Sequence, residues 1–379
     1  MSAQLQGSAM GVVWRLASAT ALIVLAFSMA APVLAVSLKQ AGHSTATVGL
    51  FAMIPFLMIG LLIPVVPRVL ARWGVIRTYR WGSLLELAGG AGYALADSLL
   101  WWSLASVVSG AGAAALWNAT EALLAREAPP DQRGRVMGLY QTALGAALAL
   151  GPFVPALLGW GAEPVLWLAA AMIALCCAIV LAIPLHATSE PPHAQSGTWH
   201  ALRTVPLLAG LAFIGGLFEA GLSSVSAAYA SATGLGLSAA ASVAGAIGMG
   251  SFACQYPAGV AADRFRPQAV FGGAALLLLV ASIAFALAPQ APWLMWAVGL
   301  VWGGVGGALY TLTMVRVAHE FAGRATAGGA AAMITGYTAG GTLGPVASGV
   351  ALQLSGAIGL SAVLSIAALA ALAASRRIA

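Results

Sequence analysis

LASATALIVLAFSMAAPVLAVSL, residues 16–38, lies between Arg15 and Lys39 and contains no charge. A helix rises about 1.5 Å per residue, so this run covers about 34 Å, enough to cross a hydrocarbon core of about 30 Å. It is too long for the apolar core of a secretory signal, which is about 7–15 residues. It is therefore read as a membrane span that stays in the chain.

Eleven similar runs follow, at 47–66, 78–96, 100–122, 136–158, 164–185, 204–228, 237–260, 268–288, 292–315, 326–352 and 357–374. They are numbered below as spans 1 to 12. Strands of a membrane barrel would instead alternate over segments of about ten residues. Without water the backbone must satisfy its own hydrogen bonds, which leaves helices. The composition agrees: 61% of the 379 residues are hydrophobic and 7% are charged. A soluble domain carries about 25% charged residues, so a soluble enzyme or a nucleic-acid-binding protein is excluded despite the net charge of +6. Cys176, Cys177 and Cys254 all lie in apolar runs and read as small buried hydrophobes, not as a disulfide framework or metal site.

The basic residues give the topology. With the N-terminus in the cytoplasm, twelve spans put Arg15, Arg68, Arg72, Arg77, Arg80, Arg126, Arg133, Arg135, Arg203, Arg264, Arg266, Arg316, Arg324, Arg376 and Arg377 inside, and only Lys39 outside. Cytoplasmic loops are enriched in Lys and Arg, so both termini are expected inside. The longest polar interruption separates six spans from six. The expected organisation is an N-terminal bundle at 1–185, a cytoplasmic linker at 186–203 and a C-terminal bundle at 204–379. The halves also echo each other. Gly151-Pro152 in span 5 and Gly344-Pro345 in span 11 stand 193 residues apart, and Arg72 and Arg264 stand 192 apart. Repeated halves about a central site are a common plan for secondary transporters.

Span 8 ends in Gly259-Val260-Ala261-Ala262-Asp263-Arg264-Phe265-Arg266. This stretch resembles the G-x-x-x-D-R motif of the major facilitator superfamily. With the span count and central linker, the resemblance covers the whole chain. Glu121, the run Arg133 to Tyr140, Phe218-Glu219-Ala220, Gln255-Tyr256-Pro257 and Gly306-Gly307-Ala308-Leu309-Tyr310 are similar to the YcaD-like branch of that superfamily. The first-half copy departs from the motif, with Pro67 for its glycine and Ala71 for its acid. The antiporter signature of span 5 is partial, because Pro155 and Ala156 follow Gly151-Pro152 where glycines are usual. The resemblance implies an all-α fold of two pseudo-symmetric six-helix bundles, with spans 1, 4, 7 and 10 lining a central cavity. It also implies a cytoplasmic latch at Gly259, Asp263 and Arg264, joined by Arg72, Arg133, Arg135 and, as a partner for Asp263, Arg316. The Gly-Pro pairs are expected to serve helix packing.

Seven of the ten acids fall in loops or at helix ends, while Glu86, Glu121 and Glu219 lie within spans. A charge in the bilayer core costs about 2.5–3.5 kcal/mol on insertion scales and usually marks function. Glu219 is the deepest, with Ser223 close behind it. It is the expected site for a proton, a cation or an amine, or else a structural carboxyl bonded to nearby Ser or Tyr. Glu121, beside Asn118, is expected at the site or paired with Arg126 or another loop arginine. Glu86 is expected to pair with a loop arginine. Trp302, Tyr310 and Tyr337 are candidate cavity aromatics. No phosphate-binding loop, metal-ligand cluster or nucleophile elbow occurs in a usable context. The expectation is a monomeric, proton-coupled transporter of a small molecule in the inner membrane, with protons and lipid as partners and no cofactor. An uncoupled facilitator and a non-transporting receptor of the same fold stay open beside it.

Overall fold

The computed structural model describes residues 2–127, 133–183, 202–320 and 326–378, and these are almost wholly helical. The first half holds α1 Ser2–Gln40, α2 Thr45–Leu62, α3 Val66–Trp73, α4 Val75–Leu95, α5 Leu99–Glu127, α6 Arg133–Leu150, α7 Val154–Leu158 and α8 Ala162–Ala182. The second holds α9 Pro206–Glu219, α10 Ser223–Ala232, α11 Leu237–Arg264, α12 Pro267–Phe285, α13 Leu294–Glu320 and α14 Thr326–Ser375. Among the described residues, ten helical stretches are long and apolar enough to cross a membrane. One of them, Gly329–Ser375, is broken at Ser355 and at Gly356 (φ +58°), and so supplies both span 11 and span 12. Span 3 is α4, 21 residues long, which carries Arg77, Arg80 and Glu86. Ten, one more from the break, and α4 make twelve. The linker proposed at 186–203 lies outside the described residues except for Arg203 and its neighbour Leu202.

Local chemistry explains the departures from the simple spans. The loop after span 2 is a short amphipathic helix, α3, with Val66 and Leu70 buried and Arg68 and Arg72 exposed. Pro67 opens it, and Gly74 at φ +81° turns the chain into span 3, a conformation that glycine adopts without strain. Span 5 tightens into a 3₁₀ turn at Gly151–Phe153, where Pro152 removes a backbone donor. Span 7 breaks between Glu219 and Ser223, so α9 and α10 are its two halves.

Two hydrophobic cores result, one drawn almost entirely from each half. Val36 of span 1 joins the second core and Ala228 of span 7 joins the first, so the bundles interlock near the end that carries Lys39. Contacts between bundles are close there. Thr45 Oγ1 donates to Gly349 O at 3.0 Å. Gly49 packs on the Pro345 carbonyl, and the Phe153 ring lies against Gly245. On the arginine-rich side, spans 4 and 10 do not pack along each other. Among the described residues, the closest contacts between the bundles thus lie toward the Lys39 face, and spans 4 and 10 stand apart at the arginine-rich face.

The Gly-Pro echo has a structural counterpart. Gly151 of span 5 packs on Ser28 and Met29 of span 1, and Gly344 of span 11 packs on Gly221 and Leu217 of span 7. Ser28 and Gly221 are again 193 residues apart. Each Gly-Pro segment also faces the opposite bundle, at Gly245 through Phe153 and at Gly49 through Pro345. Small residues at such crossings let backbones approach where apolar packing has no water to drive it.

Candidate functional site

Glu219 ends α9, at the break in span 7. Its Oε1 accepts a hydrogen bond from Ser251 Oγ of span 8, and its Oε2 accepts one from Tyr337 Oη of span 11 at 3.1 Å. Gln255, one turn beyond Ser251, donates from Nε2 to Ser251 Oγ at 3.5 Å. Span 10 makes room for this junction with glycine. A Cβ on Gly307 would lie 2.6 Å from Ser251 Oγ and 3.2 Å from Glu219 Oε1, and one on Gly306 would lie 3.0 Å from Glu219 N. One turn further along span 10, the Tyr310 ring meets the Tyr337 ring with centroids 4.7 Å apart and planes at 52°. Spans 7, 8, 10 and 11 therefore converge on one carboxylate.

That carboxylate has two hydroxyl donors and, among the described residues, no cation. Hydrogen bonds to a charged group are worth about 1.5–3 kcal/mol each, which holds a carboxylate in place without neutralising it. Its charge can still be cancelled by a proton or by a bound cation. Glu219, Tyr310 and Tyr337 each retain some accessible surface, and Tyr310 is within electrostatic reach of Glu121 in the opposite bundle, so this cluster stands toward the crevice where the two bundles face each other.

Glu121 lies across that crevice on span 4. Its Oε1 accepts from Trp117 Nε1 at 2.8 Å, and the Trp117 ring is 40% exposed. Among the described residues its partner is Trp117, an indole one turn back on the same helix; the side chains of Arg126, Arg133 and Arg135, expected as alternatives, lie outside the described residues. The Tyr310 hydroxyl lies within electrostatic reach of both Glu121 and Glu219. Asn118 donates to Ala114 O at 2.8 Å, a bond within its own helix, and remains partly accessible.

Other candidates are placed elsewhere. Trp302 is 1% exposed and lies between Phe218 and Phe285, with Nε1 donating to Ser282 Oγ at 3.3 Å. It belongs to the core of the second bundle and does not line the crevice. It shares a helix with Tyr310 but projects to the inner side of the bundle. Ser223 opens α10 beyond the break and makes no bond to Glu219; Ser251 does so instead. Glu86 is 3% exposed and accepts from Ser109 Oγ at 2.8 Å, where spans 3 and 4 cross closely at Gly82, Gly89 and Gly112. The arginine expected for it is not its partner, because the carboxyl points into the bundle at mid-span.

At the arginine-rich face, Asp263, Arg264 and Arg72 are exposed, and a Cβ on Gly259 would meet nothing within 4 Å. Arg316 pairs with Glu320 at 2.8 Å and not with Asp263. The expected Asp263–Arg316 pair is therefore not formed. The side chains of Arg133 and Arg135 lie outside the described residues.

Residue-level reasoning did not select Ser251 or Gly307. Ser251 is a mid-span hydroxyl one turn from Gln255, and that pairing was the available signal. Gly307 is one of 46 glycines, and only its neighbours distinguish it.

Comparison with known proteins follows from this geometry. The sequence profile of the Major Facilitator Superfamily matches residues 16–345. An uncharacterised MFS-type transporter of Enterobacter sp. (strain 638) is 24% identical over 296 residues, covering 76% of this chain and 74% of that protein. A 2-nitroimidazole transporter of Escherichia coli (strain K12) is 32% identical over 184 residues, 47% of this chain and 44% of that protein. Among solved structures, the nucleoside transporter NupG superposes with a TM-score of 0.77 at 13% identity, covering 97% of this chain and 98% of that one. A bacterial homologue of the lysosomal transporter Spinster, inward-facing and unoccupied, gives 0.72 at 17% identity, with 97% of each chain covered. At these identities the structural likeness speaks for the fold. Profile, relatives and fold agree: the chain belongs to the Major Facilitator Superfamily and is a multi-pass membrane transporter, not an enzyme.

Proposed function

We propose that the protein is a proton-coupled secondary transporter that moves a small molecule by alternating access, with Glu219 as the proton-binding group. The observation that carries this reading is the setting of Glu219. It is a mid-membrane carboxylate held, among the described residues, by Ser251 and Tyr337, at the junction of four spans and beside the break in span 7. Adding a proton to Glu219 changes what it can accept from two neighbouring helices. A change of that kind gives two conformations different stabilities, which is what coupling requires. The side distribution of arginine supports a cytoplasmic arginine-rich face, so the parted state described above is the inward-open one. The division into bundles at 1–185 and 204–379, joined by a linker at 186–203, is the matching mechanical reading, with the rigid halves rocking about the site. A place in the bacterial inner membrane, a monomeric state and membership of the YcaD-like branch go with it. The test is flux. A ligand found by thermal stabilisation of the purified protein should accumulate in proteoliposomes only while a pH gradient is imposed. Equal accumulation after the gradient is collapsed overturns coupling in favour of a facilitator. Stabilisation with no flux under any gradient overturns the transport mechanism in favour of a receptor.

Asp263 is read as the acid of a latch that closes the cytoplasmic face in the outward-facing state. It lies one turn after Gly259, so both share a helical face. Span 5 begins on the same side, and its N-terminal dipole favours a carboxylate. The first half carries Ala71 at the corresponding place, leaving one latch instead of two. A partly buried helix-end contact is worth up to about 2 kcal/mol, roughly a 30-fold change in a two-state ratio. Asp263→Asn should therefore lengthen spin-label distances between the cytoplasmic ends of spans 4 and 10 and slow turnover, with expression preserved. An unchanged distance distribution rules the latch out.

A further inference from the structure

Two carboxylates face the crevice from opposite bundles, and both lack a basic partner among the described residues. Glu121 lies six residues from the end of α5 at Glu127, about 9 Å in from the arginine-rich side. Tyr310 lies ten residues from Glu320, about 15 Å in. Glu219 lies thirteen residues from Pro206, about 20 Å in. The acids thus form two steps along one path, with the Tyr310 and Tyr337 rings between them and Trp117 beside the outer step. One oxygen of Glu121 is held by Trp117. The other has no hydrogen-bond partner and is not among the buried orphan atoms, so it is open to the crevice. Among the described residues, the other titratable groups coupled to these acids are tyrosines: Tyr310 and Tyr337 around Glu219, and Tyr310 and Tyr140 around Glu121.

We infer that the crevice takes organic cations, specifically an amine or quaternary ammonium carried on an aromatic ring, and that Glu121 with Trp117 is a first subsite on the way to Glu219. This rests on the transport reading above. An anion would meet two negative groups with nothing to offset them. A neutral ligand would leave the outer carboxylate uncompensated even with a proton on Glu219, in a medium where such charges are costly. A cation offsets them, and its charge gains further from the faces of Trp117 and Tyr310. The spacing of the acids suits a ligand that hands its charge from the outer carboxylate to the inner one while its ring stays against the tyrosines.

The test uses benzyltrimethylammonium, its neutral isostere neopentylbenzene and the anion phenylmethanesulfonate, with the purified full chain in nanodiscs. The cation should bind at least about tenfold more tightly than the isostere, equivalent to one cation–π contact or modest charge pairing, and the anion should not bind. Glu121→Gln should weaken cation binding by about tenfold or more, while Glu121→Asp, which keeps the charge, should stay within a few-fold. Melting temperatures of both variants establish that they are folded. Equal affinity for cation and isostere overturns the inference, as does Glu121→Gln with unchanged affinity. A flux arm separates this from the transport reading. Proton-driven uptake of 2-nitroimidazole by a protein that ignores the cation overturns the substrate class and leaves the transporter. Tight, Glu121-dependent cation binding with no flux supports the site and overturns proton-coupled transport.

Discussion

Glu219→Gln should reduce proton-driven accumulation to the level seen with the gradient collapsed. Gln keeps the shape of Glu and can still accept from Ser251 or Tyr337, but it cannot exchange a proton. The two charge-assisted bonds it weakens are worth about 1.5–3 kcal/mol each, and removing a buried charge offsets much of that loss. The variant should therefore insert and purify like the wild type. A second readout needs no substrate. Spin-label distances across the cytoplasmic face should shift with pH in the wild type and be fixed in Glu219→Gln, at the wild type's acid limit. A pH-dependent distance distribution in the variant would move the proton site elsewhere, with Glu121 and Glu86 as the remaining acids inside spans. Tyr337→Phe is the natural companion, since it removes one donor and leaves the proton-binding group intact.

Gly49→Val should drive the protein out of the conformation described here. Gly49 of span 2 lies so close to the Pro345 carbonyl of span 11 that even an alanine Cβ would overlap it, and the Pro345 carbonyl carbon would be only 2.9 Å away. Neighbouring contacts leave little slack, because Gly349 packs on Thr45 and Thr45 bonds to its carbonyl. Forcing extra carbon into a packed interface costs about 1–3 kcal/mol. This contact lies between the bundles and not within one, so the strain is relieved by parting them at the Lys39 face. The two-state ratio should move about 5- to 150-fold toward the outward-open form. Distances between labels at the Lys39-side ends of spans 2 and 11 should lengthen, and turnover should fall by a similar factor. Thermal unfolding should change little. The contrast is Gly303→Val, where the added carbon would meet Ile247 inside the second bundle, and misfolding is the expected result. If Gly49→Val unfolds as readily as Gly303→Val, the outer contact is part of the folded core and not a gate.

Much of the architecture was legible from residue chemistry. Twelve apolar runs of membrane length follow directly from the cost of exposing backbone or charge to hydrocarbon. The arrangement of arginine about those runs was equally plain. The Gly-Pro pairs, 193 residues apart, turned out to occupy matching places, each wedged between its own bundle and the other. Glu219 could be singled out because a lone carboxylate deep in a span is expensive enough to need a reason. These features share a physical basis: each is a local cost, paid or avoided residue by residue against the bilayer, and so it is visible in one dimension.

Partnership is different. Ser251 reaches Glu219 across 32 residues and Tyr337 across 118, and nothing in the sequence of span 7 indicates either bond. Trp302 and Tyr310 look equivalent along span 10. The face of the helix sends one into the core and the other to the crevice. Glu86 seemed suited to a loop arginine and instead took a hydroxyl, Ser109, while Glu121 holds an indole of its own helix, Trp117. The sequence by itself determined how many times the chain crosses the membrane and which acids stand inside it. Tertiary structure alone decided which helices those acids join, because helix rotation and glycine-permitted approach set which side chains meet, and neither is written in the order of residues along one span.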